Sequence, residues 1–496
     1  MKKSLAKKIL ATFSIFFAAN FSAVEAAVPL TLNESIHLAL TNDEQIASAL
    51  AATKSARWNL SSARRATGPS LGWSSNALKI GGRDYRGYND RHNAYGNEGR
   101  YVYYYDEFND RIARDYISGS TAYNNTFTNT FSLEMPLYTG GRAENTIKSR
   151  GYQLNAADLT LENTKQTIRY QTIAAYYEVL QQHNLLNIAE SAVRMATEQL
   201  NIIQIQFEEG VVAKSDVLQM QVQLSNYRQS LVSTQGNLEV ANATLLNTIG
   251  LPEETEFDAT DNFSYSPFPF TLDECLAYAL ENRPDGAAAL YQVRQAEAQA
   301  DAAKAGDRPS VTGVASKYIA ANGAFQQERS ANWQIGVRLN WSFFDNNVTK
   351  ANVNAAKASV ESAQANFERV EKNIRLQVRS AYTQMKAAEE NIRSTAAAVS
   401  QAEESSVIAR VRYEEGVDIL LTVTNAQEKL NQARTNYFTA LYQYNLYKAQ
   451  LEKAIGIPVD INTPIYMENV REGRYSNDAL EAAALHPNVS ETFEVK

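Results

Sequence analysis

The chain has 496 residues, 44% apolar and 21% charged, with 47 Lys and Arg against 55 Asp and Glu. That balance and a mean hydropathy of −0.38 describe a folded, acidic protein that is neither a bundle of membrane-spanning helices nor suited to nucleic acid. Cys275 is the single cysteine, and His37, His92, His183 and His486 lie far apart, which excludes a disulfide framework, a Cys-based zinc site and an HExxH motif.

Residues 1–26 differ from the rest. Lys2, Lys3, Lys7 and Lys8 precede the mostly apolar stretch Ile9 to Ala19, and Val24 and Ala26 stand at the −3 and −1 positions of a cleavage site. The apolar core is too short to span a bilayer, so this segment reads as a cleaved export signal.

From residue 27 onward the chain reads as two copies of one unit. LTLNESIHLAL from Leu30 recurs as FTLDECLAYAL from Phe270, 240 positions later, and Pro69-Ser70 recurs as Pro309-Ser310 at the same spacing. FEEGV at Phe207 recurs as YEEGV at Tyr413, and Ile249-Gly250-Leu251-Pro252 as Ile455-Gly456-Ile457-Pro458, both 206 positions later. The offsets, 240 and 206, differ by 34, which places one insertion in the first copy between Pro69 and Phe127. The expected organisation is a first repeat at 27–250, a linker at 251–269 marked by Pro252, Pro267 and Pro269, a second repeat at 270–456, and a mostly irregular tail at 457–496.

Each copy opens with a helical pattern, Thr31 to Ala66 and Thr271 to Ala305, with Asn33 and Asp273 as cap or first-turn residues. A Gly-Pro or Arg-Pro break and a short extended segment follow. A strand then alternates cleanly: Phe127, Asn129, Phe131, Leu133, Met135 and Leu137 against Thr126, Thr128, Thr130, Ser132 and Glu134. Its counterpart sets Trp333, Ile335, Val337, Leu339, Trp341 and Phe343 against Asn332, Gln334, Gly336, Arg338, Asn340 and Ser342. Period two with one apolar face suits a barrel strand between lipid and water, and equally a half-buried soluble strand.

Long helices come next. Arg142 to Phe207 contains no Pro and only Gly151, and Val348 to Tyr413 contains neither Pro nor Gly, so each predicts a rod of about 100 Å. After turns at Gly210 and Gly416 the chain is helical again to about Asn247 and Ala454. A shortage of breakers, 11 Pro and 22 Gly in all, accords with such rods. The helices are rich in Ala, Gln, Asn, Ser and Thr with narrow apolar stripes, a composition suited to a cylinder wall. Periodicity alone also fits a long solvated coiled coil, which leaves the amphipathic strands unexplained.

In this order and spacing, the duplicated LTLxExxxxAL starts, PLYTGGR at Pro136 to Arg142, FEEGVVAKSDVLQ from Phe207 and YEEGVDILLTVTNAQ from Tyr413 resemble the TolC-like outer-membrane efflux proteins. The form of Gly416 to Gln427 is similar to the multidrug-efflux branch. The resemblance implies a mainly α fold with a small β part: a homotrimer in which each chain gives four strands to a transmembrane β-barrel in outer-membrane lipid and its long helices to a periplasmic α-barrel. It implies an exit duct of a tripartite efflux or type I secretion system, partnered by a periplasmic adaptor and an inner-membrane pump. No motif supplies a nucleophile, base or metal ligand, so neither enzymatic activity nor a cofactor is expected. The competing reading is a secreted or envelope coiled-coil structural protein without a pore.

By motif position, the resemblance implies a periplasmic gate at the Gly210 and Gly416 turns, lined by Leu421 and Asn425 with Thr422 and Asp418 nearby. Asn425 stands where an Asp is usual, so its ring would attract cations less. A latch between Tyr413 and Asp216 is expected to hold the gate closed, with Asp418 standing where some relatives have an Arg. The insertion, between Gly81 and Ala122, carries eight Tyr, six Arg and seven acidic residues and reads as an outward surface loop anchored at the wet membrane edge.

Overall fold

The computed structural model describes residues 28–79, 100–105, 111–117, 125–261, 263–321 and 328–459. The expected export signal at 1–26, the tail beyond residue 459 and most of the Tyr-rich segment expected as an insertion lie outside the described residues. In chain order the elements are β1 (Val28–Leu30), α1 (Leu32–Asn42), α2 (Glu44–Arg65), β2 (Ser70–Lys79), β3 (Arg100–Tyr105), β4 (Arg111–Ile117), β5 (Asn125–Tyr138), α3 (Arg142–Glu208) and α4 (Lys214–Ile249). They continue with β6 (Phe257–Ala259), α5 (Leu272–Asn282), α6 (Pro284–Ala303), a 3₁₀ turn (Lys304–Asp307), β7 (Ser310–Ala321), β8 (Glu328–Asn340), α7 (Val348–Glu414) and α8 (Leu420–Ile455). The fold is mainly helical with a small sheet. Two compact units divide it: one drawn from Met1–Ser55, Asn155–Tyr291 and Gln364–Lys496, the other from Ala56–Leu154 and Gln292–Ala363.

The opening helices carry Asn33 and Asp273 in their first turns, and their caps are Thr31 and Thr271, each closing a capping box with Glu34 or Glu274. They differ from expectation in one way: each predicted helix is broken in two. Asp43 turns extended, and its Oδ1 accepts the N–H groups of Gln45 (2.7 Å) and Ile46 (3.1 Å), capping α2. Arg283 is held extended ahead of Pro284, which opens α6 as a first-turn proline.

The long helices α3 and α7 each have 67 residues, and α4 and α8 each have 36. All four end on glycines in the left-handed region: Gly210 (φ 80°), Gly250 (70°), Gly416 (71°) and Gly456 (82°). At each, the following N–H returns to the carbonyl five residues back, as Val211 to Gln206 (2.8 Å) and Val417 to Arg412 (2.9 Å), satisfying carbonyls that a helix end leaves open. The turns into α3 and α7 share a backbone with different side chains. Gly140-Gly141 and Asn346-Asn347 all have positive φ, and Thr139 or Asp345 accepts the N–H of Ala143 (3.0 Å) or Thr349 (2.7 Å).

Two of the apolar clusters that stabilise the first unit repeat one another. One gathers Leu30, Ala39, Ile168, Tyr176, Leu245 and Ile249; the other gathers Ala279, Ile374, Tyr444, Leu451 and Ile455. Ile374, Leu451 and Ile455 follow Ile168, Leu245 and Ile249 by 206 positions each. The expected linker is partly structured, because β6 pairs in parallel with β1, Val28 against Phe257. The Tyr176 hydroxyl lies 2.9 Å from both the Leu30 carbonyl and Oδ2 of Asp261, fastening that pair to α3.

In the second unit, β2, β5, β7 and β8 form one antiparallel sheet in that order. The register collects the apolar alternates on a single face: Leu71 and Trp73 beside Leu133 and Phe131, across Ala315 and Lys317, to Ile335 and Trp333. Trp73 stacks on Phe131 at 6.3 Å between ring centroids. The opposite face is hydrophilic, and there Arg338 lies 3.7 Å from Glu134. A register shift falls between Pro136 and Tyr138, and Leu137 there stays exposed like Leu133 and Met135. The sequence reading is corrected at the end of β8. Strand β8 stops at Asn340, so Trp341 and Phe343 lie beyond it, with the Trp341 indole donating to the Asp307 carbonyl at 3.2 Å. Within the insertion, β3 and β4 pair as an antiparallel hairpin, so this segment is not wholly loop.

Candidate functional site

The turns that end α3 and α7 belong to the same unit and bring the expected gate residues together. Neither Gly210 nor Gly416 has an atom within 4 Å of where a Cβ would stand, so backbone conformation alone demands glycine there. Leu420 drives the two hairpins together. It is buried in a cluster with Ala196, Ile203, Met220 and Leu224 from α3 and α4. The next residue, Leu421, is 47% exposed, and Asn425, one turn further on, is also exposed and makes no side-chain hydrogen bond to the described residues.

Asp418 organises the Gly416 turn. Its Oδ1 accepts the Thr422 hydroxyl (2.7 Å) and the Ile419 N–H (2.9 Å), and Oδ2 lies 3.4 Å from Nε of Arg412. The Thr422 bond, then the Ile419 N–H and the guanidinium, hold this carboxyl below the usual Asp range. Ile419, the N-cap residue of α8, has no capping side chain of its own. Thr422 is therefore engaged within the turn.

Tyr413 does not bond Asp216. Its hydroxyl donates to Oε1 of Gln206 at 3.3 Å, joining α7 to α3. Asp216, in the first turn of α4, accepts the neighbouring Ser215 hydroxyl at 3.3 Å. It acts on Tyr413 through charge: burial first and the Asp216 carboxylate second push the Tyr413 hydroxyl above its ordinary value. The protonated, donating form is thereby favoured.

Sequence reasoning missed Gln206, Arg412 and Leu420. Gln206 stands four positions before Gly210 and Arg412 four before Gly416, one helical turn from residues the motifs did single out. It also missed a cavity of about 430 Å³ beside the turns, lined by residues of α3, α4, α7 and α8. Among the described residues, no group of three His, Cys, Asp or Glu is placed to hold a metal ion, and no helix is long and apolar enough to cross a membrane.

Residues 35–251 and 276–457 match the family model described as outer membrane efflux protein. The chain is similar to the outer membrane efflux protein BepC of Brucella suis, 24% identical over 315 residues that cover 63% of this chain and 68% of BepC. It is also similar to the alkaline protease secretion protein AprF of Pseudomonas aeruginosa, 23% identical over 442 residues, 87% of this chain and 86% of AprF. The fold is similar to that of the CmeC outer membrane channel of Campylobacter jejuni, with a TM-score of 0.72, 17% identity and 89% of each chain covered.

Proposed function

We infer the function from one premise: the chain belongs to the outer membrane efflux protein family. It is an outer-membrane channel protein of the kind that serves efflux and secretion. The finer reading is a homotrimeric exit duct in which three copies of the four-stranded sheet close a barrel and the long helices form a periplasmic tunnel. A periplasmic adaptor and an inner-membrane pump would drive transport, and the chain itself carries out no covalent chemistry.

One observation carries this reading. In the single chain the aligned apolar face of the sheet is open to solvent, with Trp333 77% and Ile335 76% exposed. An apolar strip of that kind belongs against lipid. Among the described residues β2 and β8 each pair on one side only, and barrel closure between copies would satisfy both edges. The equal helix lengths in the two halves support a duplicated unit at 27–250 and 270–456, with 251–269 between and 457–496 as the tail.

The gate reading places Leu421, Asn425, Thr422 and Asp418 in rings around the trimer axis and a latch at Tyr413. The exposure of Leu421 and Asn425 supports it, since lumen residues must be uncovered within a single chain. Reconstitution of the purified protein in planar bilayers tests the whole. Discrete conductance steps from heat-modifiable trimers are expected. A soluble extended rod without conductance would instead establish the pore-free coiled-coil reading.

A further inference from the structure

We propose that the cavity bounded by α3, α4, α7 and α8 is a binding site for an amphiphilic organic anion, a compact apolar body carrying one anionic group. Its volume, about 430 Å³, lies within the range of small-molecule pockets, roughly 300–1,000 Å³. Ala196, Met220 and Leu430 form a buried apolar floor, and Met195, Val407 and Val423 add apolar wall. Methionines adapt to ligands of different outline, which favours a class of compounds over a single shape.

Charge decides the sign. Two guanidinium groups and one carboxylate line the cavity. Arg434 is held by Glu403 at 2.8 Å, whereas Arg410 has no ion-pair or hydrogen-bond partner among the described residues. One cation is thus left for an incoming anion, and a planar guanidinium suits carboxylate or sulfonate oxygens.

A second polar group is also left over. The Ser406 hydroxyl donates to Gln427, whose amide nitrogen donates to Asn431, both at 3.2 Å, so these side chains are engaged with one another. The buried Tyr227 hydroxyl makes no bond of full hydrogen-bond geometry, and the Gln223 and Asn431 side chains stand beside its oxygen as donors. Burial pushes that hydroxyl above its ordinary value against the pull of those two amides, so it keeps its proton, and its O–H is left for an acceptor on the ligand.

The probe is 1-naphthalenesulfonate, titrated calorimetrically into the full-length protein in lipid nanodiscs, with empty nanodiscs subtracted. Saturable binding at one site per chain is expected. Arg410→Gln should weaken it about ten-fold, the scale of one charged hydrogen bond, and Tyr227→Phe by less. Val407→Trp fills the cavity from a half-exposed wall position and should abolish binding without unfolding the protein. Neutral 1-naphthalenemethanol should bind more weakly and ignore Arg410→Gln. No saturable heat, binding that survives Val407→Trp, or equal affinity for the neutral probe would each overturn the proposal. The readout involves no ionic current, so its outcome is separate from that of the channel reading.

Discussion

The Tyr413 hydroxyl reaches Oε1 of Gln206 at 3.3 Å and ties α7 to α3 within the last turn of both helices. A neutral bond of this kind contributes about 1 kcal/mol, a few-fold in a closed-to-open ratio. Tyr413→Phe should therefore raise the open probability or conductance of reconstituted channels several-fold. Gln206→Ala should act alike, and the double variant should add little. Asp216→Ala, which removes a charge but no bond to Tyr413, should have the smaller effect. Unchanged conductance in both single variants would remove the latch.

The same end of the molecule should be insensitive to pH through the neutral range. Tyr413 is raised, so what it contributes is fully present below the ordinary tyrosine value of 10.0 and is lost only as pH climbs through its folded value. Asp418 is lowered, so its contribution is present above the ordinary 3.8 and is lost as pH falls through a still lower value. Conductance recorded from about pH 5 to 9 should be flat on this account. A step near neutrality would assign the gate to other groups.

Asn425 offers an uncharged amide in the proposed lumen. Asn425→Asp would introduce one carboxylate per chain, converging as a ring, and should increase block by divalent cations added from the periplasmic side. Equal block of both forms would place Asn425 away from the conduction path.

Two glycines of the same conformation should differ when replaced. At Gly416 (φ 71°) alanine meets only the left-handed backbone penalty, about 1 kcal/mol. At Gly456 (φ 82°) the added Cβ would also stand 2.9 Å from Cγ and 3.0 Å from Cα of Arg283. That arginine is fixed by Asp285 at 2.7 and 2.8 Å and by the Ala454 carbonyl at 2.9 Å, so it cannot withdraw. Gly456→Ala should lower the thermal unfolding midpoint clearly more than Gly416→Ala, measured by circular dichroism.

What the sequence made legible was whatever depends on local period. The alternation of Phe131 and Leu133, the breaker-free runs after Arg142 and Val348 and the glycines at 210 and 416 each determine their own element. The split at Arg283 was readable too, since Pro284 disfavours a helical residue before it, but the apolar period runs on through the break and masks it. The split at Asp43 has no proline and depends on a carboxylate folding back onto two N–H groups. The β1–β6 pairing joins residues more than 200 apart, and a three-residue strand carries no period. Gln206 escaped for another reason: a glutamine on a polar helix face looks like any other until a tyrosine from a distant helix is laid against it.

Helices α3 and α7 match at 67 residues, and α4 and α8 at 36. Deleting one residue from any of them would turn everything beyond it by about 100° and draw it back about 1.5 Å. A deletion in α7 between Ile374 and Tyr413, for example, would turn Tyr413 away from Gln206 and Leu420 away from Met220. Rods of this kind tolerate little change in chain length, and the 34-residue difference between the two copies read from the sequence falls between β2 and β5, in a segment joining strands.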